Sequence, residues 1–170
     1  MKIKDTFRIL GELGFTFEKG LQDQIENLSY EAGKQSKFSD ETVEQVIKPI
    51  IAFKISDVAL LNKRTEVKQE DLGIVRGVCL RVIVCLRSSV IENPNVSASV
   101  LTSTDQRQLE IIGINKNDQL VNTPLDEIVN KTVKHISDSV PNFKISNEEV
   151  DLLKTRVKLW KYEAGVLSKT

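Results

Sequence analysis

Few residues of this chain have the chemistry of a catalytic or metal site, and each has a plain structural reading beside it. The single histidine, His135, has an imidazole that titrates near neutrality and suits a general base or a metal ligand. It falls next to Ile136, beside the apolar face of a predicted helix, where a half-buried structural imidazole is the simpler reading. The two cysteines, Cys79 and Cys85, sit on one predicted helix. At about 100° per residue they point in different directions, so they do not bridge each other. A buried free cysteine behaves as a small apolar residue. One histidine and two cysteines on one helix give no zinc-ligand spacing, so neither a metal nor a cofactor is expected.

Three acidic pairs, Glu70-Asp71, Asp126-Glu127 and Glu148-Glu149, are of the type used in acid–base work or cation binding. Each falls in the first turn of a predicted helix, where carboxylates complement the macrodipole. Gly11 and Gly14 make no phosphate loop, because no strand precedes them and no Lys-Ser/Thr follows. Gly73 and Gly77 form a small-xxx-small pair, which predicts close approach of a neighbouring helix. No catalytic residue is assigned, and a non-enzymatic protein is expected.

The elements that would position these residues are helices. Ile3, Phe7, Leu10 and Leu13 recur at helical spacing and predict a helix over 3–13, ended by Gly14. Phe17, Leu21, Ile25, Leu28 and Ala32 predict a second, with Gly33 as its stop. Ser39 is an N-cap with Asp40 and Glu41 in the first turn. The helix it opens runs to Leu61, and Asn62 to Arg64 close it. Pro49 lies inside and lacks the N–H that would bond the Gln45 carbonyl, so a kink or break is expected there. From Lys68 to Ile91 apolar residues cover nearly the whole circumference of a helix, which predicts a core helix with neighbours on every side. Arg76, Arg81 and Arg87 interrupt it too often for a membrane span. Asn93-Pro94-Asn95 stops it. Within the polar stretch that follows, Ser103 and Gln106 fit a capping box, Leu109 and Ile112 face inward and Gly113 ends a short helix. Residues 114–122 read as a loop. Thr123-Pro124 starts a helix with Leu125, Ile128, Val129, Val133 and Ile136 on its face, ended by Pro141. The last helix runs from Ser146 to near Ser168.

That last helix asks for a partner. Val150, Leu153, Val157, Trp160, Ala164 and Leu167 alternate at three and four, a heptad seam. A second line, Leu152, Leu159 and Val166, repeats every seventh residue, separated from the first by Arg156 and Glu163. One stripe can pack on the domain. The other must meet another part of the same domain or another chain. Leu152, Arg156, Leu159, Trp160, Glu163 and Val166 are therefore the candidate protein-binding residues, with Trp160 of the type that anchors interfaces.

Composition narrows the classes further. The chain has 170 residues and a formal net charge of zero, so no global field draws it to nucleic acid or an acidic membrane. No aromatic residue lies between Phe53 and Phe143, which leaves that region without a base-stacking platform. Arg76, Arg81 and Arg87 read as side chains whose stems cross apolar surface. Nucleic acid is not expected as a partner. The first thirteen residues lack the apolar region of a signal peptide, and no membrane span is evident. An intracellular protein, cytoplasmic or nuclear, is expected, and the glycosylation patterns at Asn27, Asn95 and Asn130 then carry no weight.

Two resemblances follow from particular stretches. Thr65 to Leu72 (TEVKQEDL) resembles the last loop and helix of a histone fold, in which a hydrophobic residue precedes an acidic helix start. Asp5 to Gly14 resembles that fold's short first helix, as in histone-like TFIID subunits. This implies a subunit of a transcription or chromatin assembly that exists as an obligate heterodimer. Gly77 to Arg87 is similar to a buried helix of armadillo-like repeat proteins, which implies a protein-binding scaffold without catalysis. The expectation is one all-α domain over 1–170: an irregular multi-helix bundle or a short armadillo-like stacked-helix array, with one central buried helix. Its expected role is a non-enzymatic interaction or scaffold module working with another protein chain as a homo- or hetero-oligomer. The alternative is a histone-fold-like subunit.

Overall fold

The computed structural model describes residues 1–74, 77, 83 and 103–167. Helix α1 (Ile3–Glu12) buries Ile3, Ile9 and Leu10. Gly14 ends it at φ +100°, a conformation that costs glycine little, and the Phe15 N–H then closes on the Leu10 carbonyl at 3.0 Å. Strand β1 (Thr16–Phe17) follows and pairs in parallel with β2 (Glu66–Val67). Helix α2 (Leu21–Gln35) starts later than the apolar stripe suggests, because Phe17 belongs to β1. Gly33 is not its stop. It lies inside α2 against Val43, and a Cβ added there would sit 2.6 Å from the Val43 Cγ2. Leu28, placed on the core stripe by spacing, is 39% exposed.

Ser39 caps the next helical run, its Oγ accepting the Thr42 N–H at 3.2 Å. The run comprises α3 (Asp40–Thr42), a π-helical turn (Val43–Ile47) and α4 (Lys48–Leu61), with no break between them. The kink expected at Pro49 takes the form of this wider turn. The Gln45 carbonyl, which proline cannot serve, accepts instead from the Met1 amine at 3.3 Å. Between Lys48 and Leu60 only Val58 is not buried. Helix α4 is therefore the central buried helix among the described residues, surrounded by α1, α2, the π turn, β2 and the C-terminal helix.

The sequence placed that role on Lys68–Ile91. Its first turns are a 3-10 helix, Gln69–Ile74. Beyond it only Gly77 and Ile83 are described, both helical, Gly77 exposed and Ile83 buried. Gly73 and Gly77 are both exposed, and among the described residues a Cβ added at either would meet nothing within 4 Å, so no described helix approaches closely there. Cys79, Cys85, Arg76, Arg81 and Arg87 lie outside the described residues, as does most of the stretch similar to an armadillo-like helix.

Helix α5 (Ser103–Ile111) ends at Gly113, φ +91°. Residues 117–122, read as loop from sequence, form helix α6 (Asn117–Asn122). The Gln119 side chain accepts from the Asn115 and Lys116 N–H groups at 2.8 and 3.1 Å and so caps the turn, while Leu120 is fully buried. Helix α7 (Leu125–Ser139) starts one residue after Pro124. Helix α8 (Asn147–Leu167) is capped by Ser146, whose Oγ accepts the Glu149 N–H at 3.2 Å. The molecule is an all-α, irregular multi-helix bundle with two apolar clusters. One joins α1, α2, the π turn and α4. The other joins Leu109, Ile114, Leu120, Ile128 and Val129 of the α5–α7 region. Helix α8 contributes to both.

Candidate functional site

The two apolar lines of α8 meet two different covers. Leu152, Leu159 and Val166 belong to the cluster around α4. Val157, Trp160 and Ala164 belong to the α5–α7 cluster, with Val150 and Leu153 packed at its edge, while Leu167, the last residue of that line, joins the cluster around α4. Of the six candidate protein-binding residues, Leu159, Trp160, Glu163 and Val166 are interior, at 2%, 4%, 2% and 5% exposure. Leu152 and Arg156 keep partial exposure. The second line thus finds its cover within the chain, because α4 presents an apolar face along it.

Arg156 and Glu163, the charges between the two lines, are the centre of the polar chemistry here. Arg156 Nε donates to Asp57 Oδ1 at 2.8 Å, and Nη2 donates to Asp57 Oδ2 at 3.2 Å and to Asp105 Oδ1 at 3.1 Å. Its guanidinium also lies 4.9 Å from the Trp160 ring centroid, a cation–π distance. One side chain of α8 thus ties α4 to α5. Burial works against the Arg156 charge, but the hydrogen bonds and charge of Asp57, with those of Asp105, outweigh it and raise the guanidinium above its ordinary value. One level along, Lys54 Nζ lies 3.1 Å from Glu163 Oε2, with side chains 10% and 3% exposed. The polarity is crossed: α4 offers Lys54 then Asp57, and α8 answers with Glu163 then Arg156. This pattern fits only an antiparallel α8.

These groups are poorly suited to turnover. A guanidinium does not act as a base near neutrality, and Asp57 is held by it as a two-oxygen acceptor. Sequence reading missed the site because its halves lie on distant segments. One signal was present: Lys54 and Asp57 are charges inside a helix otherwise apolar all round, and such charges need partners.

A second clamp closes the loop after α4. Arg64 donates to Asp71 through Nη1 at 3.0 Å and Nη2 at 2.8 Å, and the Lys68 N–H donates to Asp71 Oδ2 at 2.7 Å. Burial pushes the Asp71 carboxyl up, but Arg64 and the Lys68 amide outweigh it and hold it below the usual carboxylate range. The acidic start read from sequence as serving the helix dipole is, at Asp71, a buried partner of Arg64. Lys48, buried between Glu44 and Glu26 and 5.4 Å from the Tyr30 ring centroid, is a third brace, on the π turn.

His135 lines a shallow surface groove of about 490 Å³ with Ile111, Lys131, Lys134 and Asp138. An adjoining groove of about 350 Å³ shares Ile112, Gly113 and Lys131 with it. The His135 Nε2 lies 3.5 Å from the Ser139 hydroxyl. Among the described residues no group of three or more His, Cys, Asp and Glu side chains is arranged to hold a metal ion. No helix among them is long and apolar enough to cross a membrane. Comparison with protein-family models, curated proteins and solved structures found no match.

Proposed function

We propose that the chain is a single-domain, non-enzymatic protein-interaction module. The observation that carries this reading is the commitment of its converging charges. Arg156, Asp57, Lys54, Glu163, Arg64 and Asp71 each hold one segment against another. The partner surface is the solvent side of the first turns of α8, where Leu152 remains partly accessible beside the exposed Glu148, Glu149 and Asp151. The test uses the tagged chain and its Leu152→Glu variant on native lysate, with helicity checked by circular dichroism. A partner held by the parent chain and lost by an equally helical variant supports the reading. Retention of every partner by the variant refutes this surface.

One observation favours a second reading, a histone-fold-like subunit of a transcription or chromatin assembly. Residues Thr65–Leu72, which carry that resemblance, form β2 and the start of the 3-10 helix. They pair in parallel with the segment after α1, beyond a helical run from Asp40 to Leu61 that Pro49 does not break. Size-exclusion chromatography with light scattering separates the two. A folded monomer favours the interaction module, and a chain that folds only with a second protein favours the subunit.

A further inference from the structure

We propose that α5–α7 form a lid that opens as one unit from the Trp160 face of α8. Among the described residues, the substantial helix contacts of α6 and α7 are with α8. The apolar cluster beneath the lid contains, among the described residues, none from α1, α2 or α4. Among the described residues, three buried side-chain polar atoms have no protein hydrogen-bond partner: Gln108 Nε2, Asn117 Oδ1 and Trp160 Nε1. They lie on α5, α6 and α8, and Trp160 belongs to the apolar cluster that α8 shares with the α5–α7 region. A polar atom that leaves bulk water without gaining a bond weakens the interface that buries it. Because the three atoms are spread over three helices, an opening that hydrates them favours movement of the whole unit over fraying of one helix.

Side-chain links hold the lid shut. Asp105 on α5 meets the Arg156 guanidinium at 3.1 Å. Lys161 Nζ donates to the Leu120 and Val121 carbonyls at 2.8 and 2.9 Å and to that of Thr123, gathering the α6–α7 turn onto α8. Arg156 keeps Asp57 when Asp105 leaves, so α8 stays seated on α4 while the lid swings away. Opening exposes Val157, Trp160 and Ala164, an apolar face with an aromatic at its centre. This inference stands whether or not a partner uses that face.

Trp160 is the only tryptophan and reports directly on the motion. Native-state hydrogen exchange on the full chain should show α5–α7 amides opening together, at lower free energy than those of α1, α2 and α4. Asp105→Asn should increase lid exchange and acrylamide quenching of Trp160 about tenfold, the scale of one charged hydrogen bond, with protection of α4 unchanged. Asn117→Leu, which removes an unsatisfied carbonyl, should slow lid exchange. If Asp105→Asn lowers helicity throughout, the parent chain and Asn117→Leu decide the matter. The proposal is overturned if α5–α7 exchange only with the global unfolding of α4, or if Asn117→Leu leaves lid exchange unchanged.

Discussion

Arg156→Met tests whether the ion pairs under α8 hold the fold or merely decorate it. The side chain is 17% exposed, and the Asp57 carboxylate it serves is 6% exposed. Methionine preserves much of the stem but leaves Asp57 without the partner it meets at 2.8 Å. Removing one member of a buried pair strands the other charge, at a typical cost of about 3–5 kcal/mol. An exposed pair is worth about 0–1 kcal/mol, so the two cases are well separated. At roughly 2–4 °C per kcal/mol for a chain of this size, the buried case predicts a fall in Tm of about 6–20 °C. Urea titration followed by circular dichroism gives the free energy, and Trp160 emission gives a second transition from beside the guanidinium. Asp57→Ala and the double variant complete the cycle. A coupling near zero, or a loss from Arg156→Met below about 1 kcal/mol, would refute the reasoning.

Further outcomes follow from other contacts. Leu159, 2% exposed on the α4 side, should cost about 2–5 kcal/mol as Leu159→Ala; Leu159→Asp should abolish cooperative unfolding, whereas Leu152→Glu should remain folded, all read by circular dichroism. Gly33→Ala should destabilise by about 1–3 kcal/mol, because the new Cβ meets Val43 Cγ2 at 2.6 Å; Gly165→Ala, which meets nothing within 4 Å, should stabilise by up to about 1 kcal/mol through helix propensity, and thermal melts compare the two. The Asp71 carboxyl is held below its ordinary value in the folded chain, so the stability it supplies is present above the unfolded pKa of about 3.9 and is lost as pH falls through the lower folded value. Asp71→Asn should therefore reduce stability near neutrality and flatten the acid limb of a stability–pH curve; an unchanged limb would count against the clamp.

Much of the secondary structure is legible from local chemistry. Ser39 and Ser146 cap helices because a hydroxyl reaches the N–H three residues on. Gly14 and Gly113 end helices because the left-handed region is open to them. The two lines of α8 are visible in spacing alone, since residues three and four apart share a face. Where local cues compete, tertiary contact decides. Gly33 has the composition of a stop, but Val43 packs against it, and α2 continues for another half-turn. Helix α6 escapes notice because its only buried apolar side chain is Leu120, and its cap is a glutamine rather than a serine.

The sequence by itself determined the described α-helices other than α6, most of their ends and the presence of two apolar stripes on α8. Only the tertiary structure decided what lies against those stripes: α4 on one side and α5–α7 on the other. It also decided that Arg156 belongs with Asp57, a residue 99 positions away. The reason is one of range. Caps, turns and helical periodicity act within a few residues, so spacing records them. The covering of a face and the pairing of a buried charge join segments whose separation along the chain carries no information about their distance in space.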